Sequence, residues 1–526
     1  MTRQRSSTAA DTAPRLPAPV LILLNAGLLL IAFPSFNQPW AAWIAFVPWL
    51  HLLRQGSARE AFRASWLIGG LFFAGSMWWM VQLTAFGGTM AILGWLLLAA
   101  YLGLYFGLFG VLAHRALQHP APLVRLLCLP AAWVAAEFLR AHLLTGQGWN
   151  LLAYSQTPWP IAIQLADITG AWGISFLIVL VNAAIDALLS ARTVTKERLQ
   201  AVLLSALLAG AALGYGRWRM PRIAQGPPLR FGVVQGNIPQ TQKWDEQYAE
   251  SILERHETLT RQLAQEAPDV IVWPEASVPG VIGVDDEVTQ RVQHLAKEIG
   301  RPLLVGAPMV QVGGGDNWRM TNSAALLDGQ GSIIHRYDKI HLVVFGEYVP
   351  FERWLPWLRH VLPPIGDFVP GASFEVFHIA SGDWELPPFS VLICFEDVFP
   401  ELAHRFVREG AQALVTITND AWFGPTAAAY QHAQASTFRA VELRRPVVRA
   451  ANTGWSGCID DAGRWQERVK DDAGHELFVP GTVTCEVASS AERTLYLRLG
   501  DWLAWLCLAG CAAALAIGWR GPRRSI

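Results

Sequence analysis

Seven apolar stretches lie within the first 215 residues, near 18–35, 38–53, 64–82, 89–112, 123–139, 168–190 and 199–215, and an eighth lies near 499–519. Several approach the roughly 20 residues that a helix needs to cross a bilayer. Two are irregular. The stretch at 38–53 is short and holds Pro48, which predicts a shallow or broken helix. The one at 123–139 holds Pro130 and Glu137, and an ionisable group at membrane depth must face protein or a polar cavity.

The placement of Lys and Arg gives an independent count, because cytoplasmic loops collect positive charge. Arg3, Arg5 and Arg15 precede the first stretch; Arg54, Arg59 and Arg63 follow the second, and Arg115 the fourth. Arg192, Lys196 and Arg198 separate the sixth from the seventh, Arg520, Arg523 and Arg524 close the chain, and the loops at 34–38 and 83–88 hold neither Lys nor Arg. This alternation predicts eight crossings with both termini cytoplasmic, and it puts the long segment between crossings seven and eight on the outer side. The first stretch also admits a cleaved signal peptide beginning at Arg3 and Arg5. No small-residue cleavage site follows it, and Pro34 and Pro39 make its exit a turn, so a retained anchor is expected.

The outer segment has a different texture. The chain as a whole is 52% hydrophobic and 16% charged with 24 tryptophans, outside the range of ordinary soluble enzymes, but that excess lies outside residues 229–490. Within them, strand-like runs (230–234, 270–273, 303–305, 323–327, 391–394, 414–418, 447–450) alternate with polar helical segments such as 247–265, 287–299 and 427–442. The alternation predicts an α/β layered domain with its site at strand ends. A formal net charge of -1 argues against nucleic acid as a partner.

Three strand ends carry chemistry. Phe389-Ser390-Val391-Leu392-Ile393 runs straight into Cys394, a thiol at a strand-to-helix elbow. A lone Cys is more often a small buried hydrophobe. Yet Val270-Ile271-Val272-Trp273-Pro274 presents Glu275 at a proline-broken tip, and Ser332-Ile333-Ile334 leads through Tyr337-Asp338 to Lys339. A base, a cation and a thiol at element ends form a plausible catalytic set. The remaining cysteines are Cys128, Cys507 and Cys511, in apolar stretches, and Cys458 and Cys485, which either pair in an oxidising compartment or remain reduced in a core. No Cys or His spacing resembles a zinc site, no glycine-rich phosphate loop is present, Gly313-Gly314-Gly315 reads as a turn, and neither metal nor cofactor is expected.

Between Lys339 and Cys394 the loop 343–368 crowds Phe345, Tyr348, Phe351, Trp354, Leu355, Trp357, Leu358, Val361 and Leu362. It reads either as packing against the domain's own core or as an amphipathic flap settling at a bilayer face.

In the order Glu275, Lys339, Cys394 these residues resemble the nitrilase superfamily of carbon–nitrogen hydrolases, from about 229 to 487, with Glu347 matching a second glutamate found there. Membrane stretches joined to such a domain resemble the apolipoprotein N-acyltransferase branch. The matching motifs are Gln235-Gly236-Asn237-Ile238-Pro239-Gln240 with Lys243-Trp244, Phe345-Gly346-Glu347-Tyr348-Val349-Pro350, Cys394-Phe395-Glu396 and Asn419-Asp420-Ala421-Trp422-Phe423-Gly424. Val344 departs from the family's usual proline. The resemblance implies a membrane domain at 1–228, a periplasmic αββα sandwich at 229–490 and a last helix with a basic cytoplasmic tail at 491–526, in the bacterial inner membrane. It further implies a monomer that transfers a fatty acyl chain from a phospholipid, typically phosphatidylethanolamine, through a Cys394 thioester to the α-amino group of a diacylglyceryl-cysteine on an apolipoprotein. In that scheme Glu275 is the base and Lys339 stabilises the oxyanion, while Glu347, Glu396, Trp244, Trp422, Phe423 and Tyr348 are auxiliary or line the substrate site. Tyr154 and Gln156 are expected to touch the domain from below. Two rivals stand beside this: a membrane-anchored amidase or nitrilase acting on a small amide, and a scaffold or transporter whose outer domain has lost catalysis.

Overall fold

The computed structural model describes residues 16–190, 195–312, 318–350, 352, 354, 356–357, 366–381 and 384–516. Arg3, Arg5, Arg15, Arg192, the C-terminal arginines, Gly313-Gly314-Gly315 and, in the aromatic loop, Phe351, Leu355, Leu358, Val361 and Leu362 lie outside the described residues.

Each apolar stretch is helical. The longer helices of the N-terminal region are α1 (Ala18–Ala32), α2 (Ala42–Leu53), α3 (Ala58–Ser76), α4 (Met90–Leu117), α5 (Pro122–His142), α6 (Ala171–Leu189) and α7 (Lys196–Arg219). Among the described residues, α4, α5, α6 and α7 are long and apolar enough to cross a membrane. Helix α3 breaks by 58° into the segment Trp78–Gly87, and that pair makes a fifth candidate. The expected shallow helix at Pro48 is α2, only 12 residues long. Its neighbour α6 repairs the local hydrogen bonding, since Asn182 Oδ1 accepts from Phe46 N at 2.9 Å while Asn182 Nδ2 donates to Ala42 O at 2.9 Å. Helices α3 and α4 pack through glycines: a Cβ on Gly69 would come within 2.9 Å of the Gly103 Cα, and small residues of this kind let apolar helices approach closely. Glu137 faces protein, as expected, and accepts from Leu152 N at 2.6 Å.

The remainder is a sandwich of two sheets. Strands β1 (Pro228–Gln235), β2 (Val270–Val272), β3 (Leu303–Val312), β4 (Trp318–Leu327) and β5 (Ile333–Asp338) form the first sheet together with the late strand β11 (Gly481–Ala488), in the order β11-β1-β2-β3-β4-β5. The second contains β6 (Phe389–Ile393), β7 (Ala413–Thr418), β8 (Val447–Ala451), β9 (Gly457–Ile459) and β10 (Trp465–Arg468), in the order β10-β9-β8-β7-β6. Period-2 alternation decides which core each side chain joins. Phe231, Val233, Val270, Val272, Leu304, Ala324 and Leu326 point between the sheets, where Phe231 meets Phe389 edge-on at 5.6 Å. Their neighbours Val234, Ile271, Trp273, Leu303, Val305, Ala325 and Leu327 point outward to the helices α8 (Glu246–Ala264) and α9 (Asp286–Ile299). Helices α10 (Pro400–Arg408) and α11 (Ala427–Leu443) cover the second sheet, completing the expected αββα order.

Helix α11 is buried along its whole length, because the sheet takes one face and the N-terminal helical region takes the other. Gln431 is its main polar tie: Oε1 accepts from Trp79 Nε1 and Trp149 Nε1 at 3.0 and 2.9 Å, and Nε2 donates to Ser76 O and Pro34 O at 2.9 and 3.2 Å. Arg444 and Arg219 converge on Asp167 at 2.8–3.0 Å, and Glu442 accepts from Ala171 N at 3.1 Å. The last helix, α12 (Trp502–Ala516), returns to pack on α5.

Cys458 on β9 and Cys485 on β11 form a disulfide across the two sheets, with Cα atoms 6.3 Å apart and a sequence separation of 27. Replacing both with Ser is expected to lower stability by about 2–4 kcal/mol, the usual value for a loop of this length. Denaturation of the detergent-solubilised protein under oxidising conditions measures this, and an unchanged midpoint would mean that the bridge contributes nothing.

Candidate active site

Each of the three strand ends is shaped by a residue with special backbone needs. Strand β2 stops at Trp273-Pro274, since proline has no N–H to continue the ladder, and Glu275 follows with Ala276 at φ +46°. Gly306 on β3 makes room, because a Cβ there would lie 2.7 Å from the Glu275 Cα. Lys339 continues β5, its N–H donating to Asn322 O at 2.8 Å while its carbonyl accepts from Gly371 N at 2.8 Å. Cys394 leaves β6 at φ +55° and opens a short 3-10 turn, Cys394–Val398. Left-handed backbone in a non-glycine residue is strained and is held only where its surroundings over-determine it.

The side chains converge as a buried charge cluster. Lys339 Nζ lies 2.9 and 3.0 Å from the two Glu347 carboxylate oxygens and 3.4 Å from Glu275 Oε1. Asn322 on β4 bridges the same carboxylates, donating to Glu275 Oε1 at 2.8 Å and Glu347 Oε1 at 2.7 Å. Burial works against the charge on Lys339, but Glu347 and Glu275 outweigh it and hold the ammonium well above the ordinary lysine range. Cys394 goes the other way: burial first, then the Glu275 charge, push the thiol far up, with only Lys339 and a Thr418 hydrogen bond pulling it down. At rest Cys394 is therefore a thiol, and a base would have to act on it before it could serve as a nucleophile.

Glu396 ties the thiol's elbow to the lysine's loop. Its carboxylate accepts from Ile393 N at 2.8 Å on one side and, on the other, from Ile340 N, His341 N and the Tyr337 hydroxyl at 2.7–3.1 Å. Burial raises Glu396 to about 7 against the pull of those donors. Its placement is structural support between two strand ends.

The other sequence candidates fall elsewhere. Tyr348 is half-buried, and its carbonyl accepts from Phe345 N at 2.8 Å, closing the turn that carries Glu347. Trp244 is half-exposed. Trp422 and Phe423 pack against the N-terminal region, with ring centroids 5.0 Å from Phe86 and 4.5 Å from Trp79. Tyr154 does touch the sandwich, accepting from Arg439 Nη2 at 3.3 Å, whereas Gln156 bonds to Trp43 and Pro39 within the helical region. In the aromatic loop, Trp354 and Trp357 are 81% and 57% exposed, so these two do not pack into the domain's core.

Sequence reasoning missed three groups. Asn322 sits mid-strand with no motif to mark it. Lys243 stands out in the sequence only as part of a motif; it is buried, donates to the Glu275 carbonyl at 2.8 Å, and is lowered to about 8 by burial, which outweighs the pull of the Glu275 charge. His432 on α11 lies behind the elbow, its Nε2 3.2 Å from the Cys394 carbonyl oxygen.

Residues 25–184 match the family model of the apolipoprotein N-acyltransferase N-terminal domain, and residues 230–477 match that of the carbon-nitrogen hydrolases. Curated relatives align over nearly the whole chain. The apolipoprotein N-acyltransferase of Geobacter metallireducens is 36% identical, with 96% of each chain covered. That of Pseudomonas syringae pv. tomato is 34% identical with 97% of each covered, and that of Brucella melitensis 33% identical with 84% of this chain and 88% of the relative covered.

Proposed function

The chain belongs to the apolipoprotein N-acyltransferase family, and from that premise we propose that it N-acylates lipoproteins by a two-step, ping-pong transfer through Cys394. The observation that carries this reading is the buried Lys339 ammonium held between Glu275 and Glu347 at the strand ends. It supplies a fixed positive charge for an oxyanion and a carboxylate for proton traffic.

In the first half, Glu275 takes the thiol proton and the Cys394 thiolate attacks the ester carbonyl carbon of a phospholipid, taken here as phosphatidylethanolamine. Lys339 and a backbone N–H at the elbow stabilise the tetrahedral oxyanion. As it collapses, the ester C–O bond breaks, and the proton on Glu275 passes to the departing lysophospholipid alkoxide, leaving a thioester. In the second half, the α-amine of a diacylglyceryl-cysteine attacks the thioester carbonyl, Glu275 accepts the amine proton, and the amide-linked chain leaves as the thiol is restored. A thioester is reactive enough to acylate an amine, and the amide is the more stable product, so no nucleotide is required. Glu347 fixes Lys339, and Lys243 fixes the Glu275 backbone.

The same reading takes the apolar helices as eight crossings of the bacterial inner membrane with both termini cytoplasmic. The domain at 229–490 is then periplasmic, between a membrane domain at 1–228 and a last helix at 491–526, in a monomer. Trp354 and Trp357, exposed on the loop after Glu347, would then meet the bilayer face and guide an acyl chain inward.

Intact-mass analysis of purified protein incubated with phosphatidylethanolamine tests the first half-reaction. The expected result is a fatty-acyl increment that hydroxylamine removes and that disappears on adding a diacylglyceryl-cysteine peptide. No increment with phospholipid, but turnover of a small amide, would instead establish the amidase reading.

A further inference from the structure

Four charges are buried together directly behind the elbow. His432 Nδ1 lies 2.8 Å from Asp420 Oδ1, and His432 Nε2 lies 3.0 Å from Asp397 Oδ1 and 3.2 Å from the Cys394 carbonyl oxygen. Arg449 completes the set, donating to Asp397 Oδ2 at 2.9 Å and Asp420 Oδ2 at 3.2 Å. All four side chains are at most 2% exposed. Burying ions this way is costly compared with an apolar packing of similar volume, so the arrangement calls for a use. Burial opposes the charge on His432, but Asp397 and Asp420 prevail over that and over Arg449, raising the ring to about 9. At neutral pH both ring nitrogens therefore carry protons, and Nε2 is a donor.

That donor meets the acceptor left by a strained residue. The Cys394 carbonyl and the Phe395 N–H belong to one planar peptide, in which the two groups point in opposite directions. Phe395 N–H is also among the first donors of the 3-10 turn Cys394–Val398, and such donors have no acceptor within their own turn. From behind, the Trp149 ring packs on the imidazole with centroids 5.2 Å apart, fixing the plane of the donor.

We infer that His432 is a positioning residue for the oxyanion site: by holding the Cys394 carbonyl on one side, it turns the Phe395 N–H to the other, where the acyl oxygen develops charge opposite Lys339. The inference rests on acyl transfer through Cys394 as proposed above. It assigns His432 no proton transfer and no contact with substrate.

Two variants of the full-length chain test it, His432→Leu and His432→Gln. Both remove the imidazolium charge, but only glutamine keeps an N–H donor near the Nε2 position. Two reactions of Cys394 are timed in each: single-turnover acylation by phosphatidylethanolamine, which passes through an oxyanion, and alkylation by iodoacetamide, which does not. His432→Leu is expected to slow acylation about 100-fold, the usual loss for one oxyanion donor, and His432→Gln to recover at least about tenfold of it, with alkylation changed less than about threefold in either. Equal slowing of both reactions, an unaffected His432→Leu, or a His432→Gln no better than His432→Leu would each overturn the inference. Both variants are also built on Asp420→Asn, which restores the charge balance of the cluster should loss of one cation unfold the chain. If the unaltered protein forms no adduct with phospholipid, the acyl-donor reading has failed, and the same comparison made with p-nitrophenyl butyrate still decides the role of His432.

Discussion

Cys394→Ser is expected to abolish both the acyl-enzyme and the transfer of the chain, by about 10⁴-fold or more, while the protein remains folded. Losses of that size follow when the nucleophile of a preorganised set is removed. The change is nearly isosteric, so packing at the half-buried position is kept, but the chemistry is not. Burial and the Glu275 charge already drive the Cys394 thiol far up, and a hydroxyl begins several units higher still, beyond what a carboxylate base can deprotonate. Intact mass after incubation with phosphatidylethanolamine, alongside a thermal melt, measures both halves of the expectation. The other free cysteines, Cys128, Cys507 and Cys511, lie on α5 and α12, and Cys458 and Cys485 are paired with each other. A Cys394→Ser variant that kept an adduct labile to neutral hydroxylamine, and so a thioester, would therefore place the nucleophile in an apolar helix, and the whole reading of the strand ends would fall.

The strand ends were legible because each carries a local signature: an apolar or β-branched run that leads into a reactive group, with a proline breaker before Glu275. The same is true of the layered order, since inward and outward residues alternate along β1 to β4 with period 2 and the helices Glu246–Ala264, Asp286–Ile299 and Ala427–Leu443 begin and end within a residue or so of the polar periodic segments. What the sequence withheld depends on non-local pairing. That β11, almost 250 residues later, closes the first sheet against β1 is a register from Pro228–Ala488 to Gln235–Gly481 that no local pattern encodes. Asn322 is a small polar residue in a strand until β4 is placed beside β5, and His432 is a histidine on a helix until α11 lies under the elbow. Hydropathy located each of the seven longer helices of the N-terminal region but not its length, and the break between Ser76 and Trp78 is a matter of packing that an apolar run does not reveal. The partners of the aromatic motif residues were hidden for the same reason: Trp422 and Phe423 stand next to acidic and glycine residues in sequence, and only the folded chain brings their rings against Phe86 and Trp79.

Lys339→Met is expected to slow thioester formation by about 10³- to 10⁴-fold, more than the loss of one neutral oxyanion donor, because two effects add. The first is the charge that the tetrahedral oxyanion would meet. The second is the fate of the carboxylates: Glu275 and Glu347 share Lys339 Nζ at 2.9–3.4 Å and Asn322 Nδ2 at 2.7–2.8 Å, and without the cation they become two like charges in a buried site. In the proposed mechanism Glu275 takes the thiol proton, and an uncompensated Glu347 carboxylate beside it would disturb its placement for that step as well. Lys339→Arg should not restore the rate, since the planar guanidinium is larger than the space between Glu275, Glu347 and Asn322 and presents its protons in a fork rather than at a point. Single-turnover acylation by phosphatidylethanolamine, alongside a thermal melt, reads the loss. A Lys339→Met variant slowed by no more than about 10²-fold would mean that Lys339 acts as a single oxyanion donor and that the paired carboxylates do not depend on it.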